Sequence, residues 1–174
     1  MKKFLLLLVI AATALTASAQ DRTDSHGNTV KHAMFEVAQY QIGDFDFSKE
    51  SGSYGLGMVV TSISHWDRFH VGANVNFSIN NGLADPSGCI IDFGPSVRYD
   101  LGEHILVNMP VNAVCSTTFY KGDSETKWGA RIAPSLHVFL SDRFGIFAGP
   151  QMTLSFESGS EPSFGIQAGL SYAF

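Results

Sequence analysis

The chain has 174 residues, 45% of them apolar and 16% charged, with 11 basic and 16 acidic side chains and a formal net charge of −5. That length suits one domain, and the lack of any cluster of Lys or Arg argues against nucleic acid as a partner. After Gln20 no apolar run approaches the about 20 residues of a spanning helix, so membrane residence of the remaining chain would have to use strands.

The first element in chain order is a secretory signal. Lys2 and Lys3 form a positive n-region, residues 4–15 are apolar apart from Thr13, and Ala17-Ser18-Ala19 is an A-x-A cleavage site. These features predict a signal peptide over 1–19 and a single mature domain over 20–174. An N-terminal membrane anchor is the weaker reading, because the apolar run is well short of a spanning helix. No cysteine lies near the cleavage site, so a lipid anchor there is not expected.

Two noisy strand-like segments follow, 30–41 and 53–65. From Arg68 the alternation is cleaner. Phe69, Val71, Ala73, Val75, Phe77 and Ile79 fall on one face, and His70, Gly72, Asn74, Asn76 and Ser78 on the other. That period of two marks a strand dividing apolar from polar or small-residue surroundings. It returns over 91–101, 105–114, 128–140, 144–156 and 164–174, which makes eight segments. Trp66-Asp67, Leu101-Gly102-Glu103 and Ser141-Asp142-Arg143 read as short turns, while 42–52, 80–87, 117–126 and 157–163 read as longer polar loops. Short turns on one rim and long loops on the other describe an outer-membrane barrel whose short rim is periplasmic.

The expected fold is therefore all-β: a closed, antiparallel, up-and-down transmembrane β-barrel of about eight strands, a size whose lumen side chains just fill. Trp128, Tyr99, Phe77, Phe164 and Tyr172 fit aromatic girdles facing lipid. A water-soluble barrel with its apolar faces inward is the alternative, but the opposite face is too polar and glycine-rich for a hydrophobic cup. Its charges have both signs, Glu36, Asp92 and Asp100 with Arg98 and Arg131. Unpaired charge inside would be costly, so these five are expected to form a lumen polar network with both arginines paired.

Pro95, Pro110, Pro134 and Pro150 sit inside proposed strands, where proline cannot donate to the ladder. Each lies six residues from a short-turn boundary, which predicts bulges or bends at one common height. Cys89 and Cys115 belong to the exported part of the chain, where disulfides form. With residues 101–103 as the turn, Asp100 faces His104 and Cys89 faces Cys115. A disulfide and a pair of small apolar residues on the lipid face both fit that placement.

The chain ends Gly169-Leu170-Ser171-Tyr172-Ala173-Phe174. This final alternating strand resembles the assembly signal of bacterial outer-membrane barrels, with Tyr172 and Phe174 as its aromatic positions. Ser141-Asp142-Arg143-Phe144-Gly145-Ile146-Phe147-Ala148-Gly149-Pro150 and Phe93-Gly94-Pro95-Ser96-Val97-Arg98-Tyr99 resemble the porin-like outer membrane protein β-barrel family of Gram-negative bacteria. The resemblance implies a cell outer membrane location and outer-membrane lipids as surroundings. It also implies periplasmic chaperones and the barrel-assembly machinery as partners during biogenesis. It brings no shared catalytic motif.

Some eight-stranded barrels modify lipid A, and Ser135 and His137 share a face at i, i+2, the spacing of a nucleophile and its base. Parity puts that face inside, away from any acyl chain, so no catalytic residue is assigned. The loop acids Asp44, Asp46, Glu50, Asp123 and Glu125 match no standard calcium loop. Neither metal nor cofactor is expected, and a barrel that closes on its own chain needs no second copy, which gives a monomer. The expected function is a non-enzymatic integral outer-membrane protein with a structural, envelope or surface-interaction role through its extracellular loops. A narrow pore for small solutes is the alternative, with a lipid A-modifying enzyme behind it.

Overall fold

The computed structural model describes residues 22–23, 29–30, 33–43, 52–66, 68–80, 87–120 and 123–173. The expected signal peptide and Phe174 lie outside the described residues. Eight strands build the barrel. They are β1 (Ala33–Gly43), β2 (Gly52–Trp66), β3 (Phe69–Asn80), β4 (Gly88–Asp100) and β5 (Ile105–Tyr120). β6 follows in two pieces (Asp123–Ile132 and Ser135–Phe139), then β7 (Phe144–Ser155) and β8 (Ser163–Ala173). Each strand pairs antiparallel with the next, and β8 pairs back onto β1, so the sheet closes. Arg22–Thr23 and Thr29–Val30 form a separate two-stranded ribbon.

The polarity of this barrel is the inverse of a soluble one. Among the described residues, nineteen buried side chains are polar or charged and only nine are apolar. Large apolar side chains such as Phe93, Val111, Leu136, Ile146 and Phe164 stand exposed on the outer wall. This excludes the hydrophobic cup. Apart from Phe93, which stands at mid-height, aromatic side chains of the wall group toward its two ends. Tyr99, Phe69, Phe144 and Tyr172 lie near the short turns, the last two in edge contact with centroids 6.4 Å apart. Tyr40, Tyr54, Trp128 and Phe164 lie toward the long loops, with the two tyrosine rings 4.9 Å apart.

Three expectations change. First, the β4–β5 turn lies one residue later than 101–103, at 102–104. The amides of Leu101 and Gly102 both donate to the Ile105 carbonyl, at 2.9 and 3.1 Å. Leu101 thus faces Ile105, and Asp100 pairs with Leu106 rather than His104. The β6–β7 turn repeats this geometry, with the Leu140 and Ser141 amides donating to the Phe144 carbonyl. Second, 117–126 is not a loop. β5 and β6 stay paired out to Tyr120↔Asp123, two residues past the last β4–β5 pair, Gly88↔Thr118, and six past the last β6–β7 pair, Ser155↔Gly129. Thr117, Thr118, Phe119, Tyr120 and Thr126 have high strand propensity, and the Thr117 and Thr126 hydroxyls lie 3.1 Å apart across the ribbon.

Third, the prolines share a level but make no bulge. The β4–β5 ladder is interrupted between Phe93↔Ala113 and Ser96↔Pro110, yet its register is unchanged. β6 breaks at Ala133-Pro134 and resumes in the same register against both neighbours. That register sets Pro134 opposite Pro150. The missing proline amides open gaps in the ladder without adding a residue to it. The glycines beside the band reflect close strand approach: a Cβ at Gly149 would meet the Pro134 carbonyl oxygen, and one at Gly94 the Val111 carbonyl oxygen. The actual register shifts lie elsewhere, at Glu36/Gln39, Val60/Ser64 and Ala168/Leu170.

Candidate functional site

Inward parity brings the charged residues into the lumen. Arg98 is 2% exposed and Arg131 6% exposed. Arg131 reaches from β6 to Asp92 on β4, with its guanidinium 2.8 Å from the carboxylate. The same side chain donates to Gln41 on β1 and Thr153 on β7, both at 3.1 Å. Asp92 also accepts from the amides of Asn76 on β3, at 2.9 Å, and Asn112 on β5. One network thus ties together six of the eight strands. Three partners around one carboxylate give the buried pair the hydrogen bonding that a desolvated ion pair requires.

Arg98 pairs with Asp100, donating from its terminal nitrogen at 2.7 Å. Asp100 is also 3.2 Å from His70 on the neighbouring strand. This second cluster lies near the short-turn end. Glu36 is the one expected member without an arginine at its side. It accepts from Gln39 at 2.6 Å and lies 3.5 Å from His137. Gln39 in turn donates to Asn76 at 3.3 Å and accepts from Gln41 at 3.2 Å, which joins Glu36 to the Asp92–Arg131 group.

Gln39 and Gln41 are the site residues the alternation hides. Glu36 and Gln39 have opposite parity, and both point inward only because β1 shifts register between them. Asn76, Asn112 and Thr153 needed no such help, since their parity already placed them inside. At the short-turn end Met34, Val59, Leu106, Phe139 and Ala173 form a buried apolar cluster. It spans the lumen, joining β8, β1 and β2 to β5 and β6 across the ring.

Ser135 and His137 do meet, with Oγ 3.0 Å from Nε2. The arrangement is not that of a serine hydrolase. The Nδ1 atom that an orienting carboxylate would hold instead faces the Ser171 hydroxyl at 3.0 Å. Glu36 approaches on the Nε2 side. The imidazole is fully buried and stacked on Phe147, with ring centroids 5.1 Å apart. These groups are placed to pack the lumen.

Cys89 and Cys115 lie on the outer face as free thiols. The corrected register pairs Cys89 with Thr117 and Cys115 with Ile91, so the cysteines are diagonal, not opposite. Diagonal Cα atoms in a sheet are about 7–8 Å apart, beyond the usual span of a bridge.

No protein-family model matches the chain, and no curated protein matches it. Solved structures do. The N-terminal β-barrel domain of OprF from Pseudomonas aeruginosa aligns with a TM-score of 0.59 at 10% identity, over 83% of this chain and 98% of that one. Neisserial surface protein A aligns with a TM-score of 0.52 at 11% identity, over 82% and 96% respectively. The fold is that of the small outer-membrane β-barrels.

Proposed function

We propose that the protein is a non-enzymatic integral barrel of the Gram-negative outer membrane, acting through its long-loop end rather than by transport. The observation that carries this reading is the inverted polarity: an apolar outer wall around a lumen crossed by the Arg131–Asp92 network. An apolar wall needs lipid, and a closed barrel is the one sheet that leaves no unpaired edge within it. A network spanning six strands obstructs solute flow, which counts against the narrow pore. At the long-loop end the paired β5–β6 ribbon runs past the last β6–β7 pair and presents Phe119, 45% exposed, with Ser124 and Thr126. In this reading the ribbon and adjoining loops meet the cell exterior, the short turns face the periplasm, and Cys89 and Cys115 remain reduced against lipid. The terminal strand with Tyr172 and Phe174 is read by the assembly machinery, and the barrel works as a monomer.

Refolding into detergent tests the reading. A compact, heat-modifiable band on gels is expected, together with no steady unitary current in planar bilayers. A monodisperse protein in detergent-free buffer would refute the membrane barrel. Stable channels would refute the obstructed lumen.

A further inference from the structure

Prolines take amides out of the ladder at defined places. β4 and β5 exchange hydrogen bonds at odd-numbered residues: Phe119 donates to Ser87 near one end, and Leu101 to Ile105 at the other. Such pairs recur at every second residue, and the unchanged register sets Pro95 opposite Val111 within this series. Pro95 has no amide for the Val111 carbonyl. Between β5 and β6 the Ala133 amide donates to Pro110 at 3.4 Å, and Pro110 has none to return to the Ala133 carbonyl.

The lumen treats these two carbonyls differently. Gln167 reaches over from β8 and donates to the Ala133 carbonyl at 3.1 Å. The Val111 carbonyl lies against the inward face of Gly94, where any Cβ would strike it, and it is met there by other oxygens. Asn112 Oδ1 stands 2.9 Å from the same Cβ position. The Asn112 amide nitrogen donates to Asp92, and a carboxylate only accepts, so this oxygen cannot change places with the nitrogen. Asn74, paired with Gly94 from β3, and Ser96, the next inward residue of β4, add Asn74 Oδ1 and Ser96 Oγ. The three side-chain oxygens are buried without a protein partner. Asn112, Asn74 and Ser96 are 2%, 6% and 1% exposed.

Such a set calls for a partner that accepts electron pairs. Carbonyl oxygens released from regular backbone are what replaces the hydration shell of monovalent cations in proteins. Charge points the same way. With the histidines neutral, the lumen sets three carboxylates, Glu36, Asp92 and Asp100, against two guanidiniums, Arg98 and Arg131. A divalent ion fits less well, because its affinity follows the charge of its ligands. Asp92, the carboxylate tied to Asn112, already accepts from Arg131, Asn76 and Asn112.

We infer that the notch over Gly94 is a binding site for a small monovalent cation, sodium, held by Val111 O, Asn112 Oδ1, Asn74 Oδ1 and Ser96 Oγ. The ion takes the place of the amide that Pro95 lacks and offsets the excess negative charge of the lumen. Glycine at 94 leaves the room for it.

The full chain refolded in zwitterionic micelles tests this. Its urea midpoint is expected to be higher in sodium chloride than in N-methylglucamine chloride at equal ionic strength. It should go on rising with the logarithm of sodium concentration, as for any ligand bound by the folded state alone. Equal midpoints in the two salts would leave these oxygens to water and overturn the site. Asn74→Ala removes a ligand whose oxygen has no protein partner, so the variant should fold and lose the sodium-dependent rise. A variant that keeps the whole rise would place sodium elsewhere and overturn the assignment. In the parent, the side-chain amide resonances of Asn112 should shift with sodium along a saturating curve while those of Gln167 stay still. No shift at Asn112, or an equal shift at both, would also overturn it.

Discussion

The two faces of the same strands obey different rules. On the outer wall Phe93, Val111 and Leu136 need only be apolar, because lipid accommodates any shape. Inside, Asp92 is held by three named partners from three other strands, and exchanging any one leaves a charge or an amide unsatisfied. One face is specified by class of residue and the other by individual residue, so substitution should separate them.

The largest effect is expected at Arg131. Arg131→Ala leaves Asp92 buried without its cation, a loss of about 3–5 kcal/mol, measured as the urea unfolding midpoint in lipid vesicles. The double variant Arg131→Met with Asp92→Asn removes both charges and should recover much of that loss. If single and double variants unfold alike, the pair is not the centre of the lumen. Next is the reverse test on the outer wall. Val111→Arg, at the height of the proline band, should destabilise by about 2–4 kcal/mol in a bilayer. An inconsequential charge at that position would mean the wall does not face lipid.

Crowding comes third. Gly149→Ala forces a methyl against the Pro134 carbonyl, an overpacking expected to cost about 1–3 kcal/mol, whereas Ala148→Ser on the exposed face should shift the midpoint far less. The smallest effect is predicted at the rim. Lys127 lies 3.0 Å from Glu157 and 3.5 Å from Glu125, all three in contact with solvent. Exposed pairs contribute little, so Lys127→Ala should leave the midpoint unchanged within error.

The same contrast explains what was legible in the sequence. Alternation told inside from outside along every clean strand because parity depends only on local order. Register was not legible in the same way. The expected Asp100–His104 pairing and the observed Asp100–Leu106 pairing differ by two residues, and a two-residue slip keeps every side chain on its own face. The cysteines consequently moved from opposite to diagonal. The inward direction of Arg98 and Arg131 could be read, but their partners depend on how far neighbouring strands are staggered. Glu36 shows the limit: an acid on the correct face whose side-chain partners are a glutamine and a histidine. The β5–β6 ribbon was hidden for a different reason, since threonine and serine write loops and solvent-exposed strands in the same letters.

The hydrogen bond from Arg131 to Gln41 joins positions 90 residues apart in the chain, and it has a kinetic consequence. Hairpins such as β6–β7 can form from local sequence alone, but Gln41 arrives only when the first strand docks against the last. Long loops must close before such a contact gives any return. Arg131 therefore waits with part of its hydrogen bonding unmet until the ring is complete. In a barrel built strand by strand, this one side chain distinguishes a finished cylinder from an open sheet.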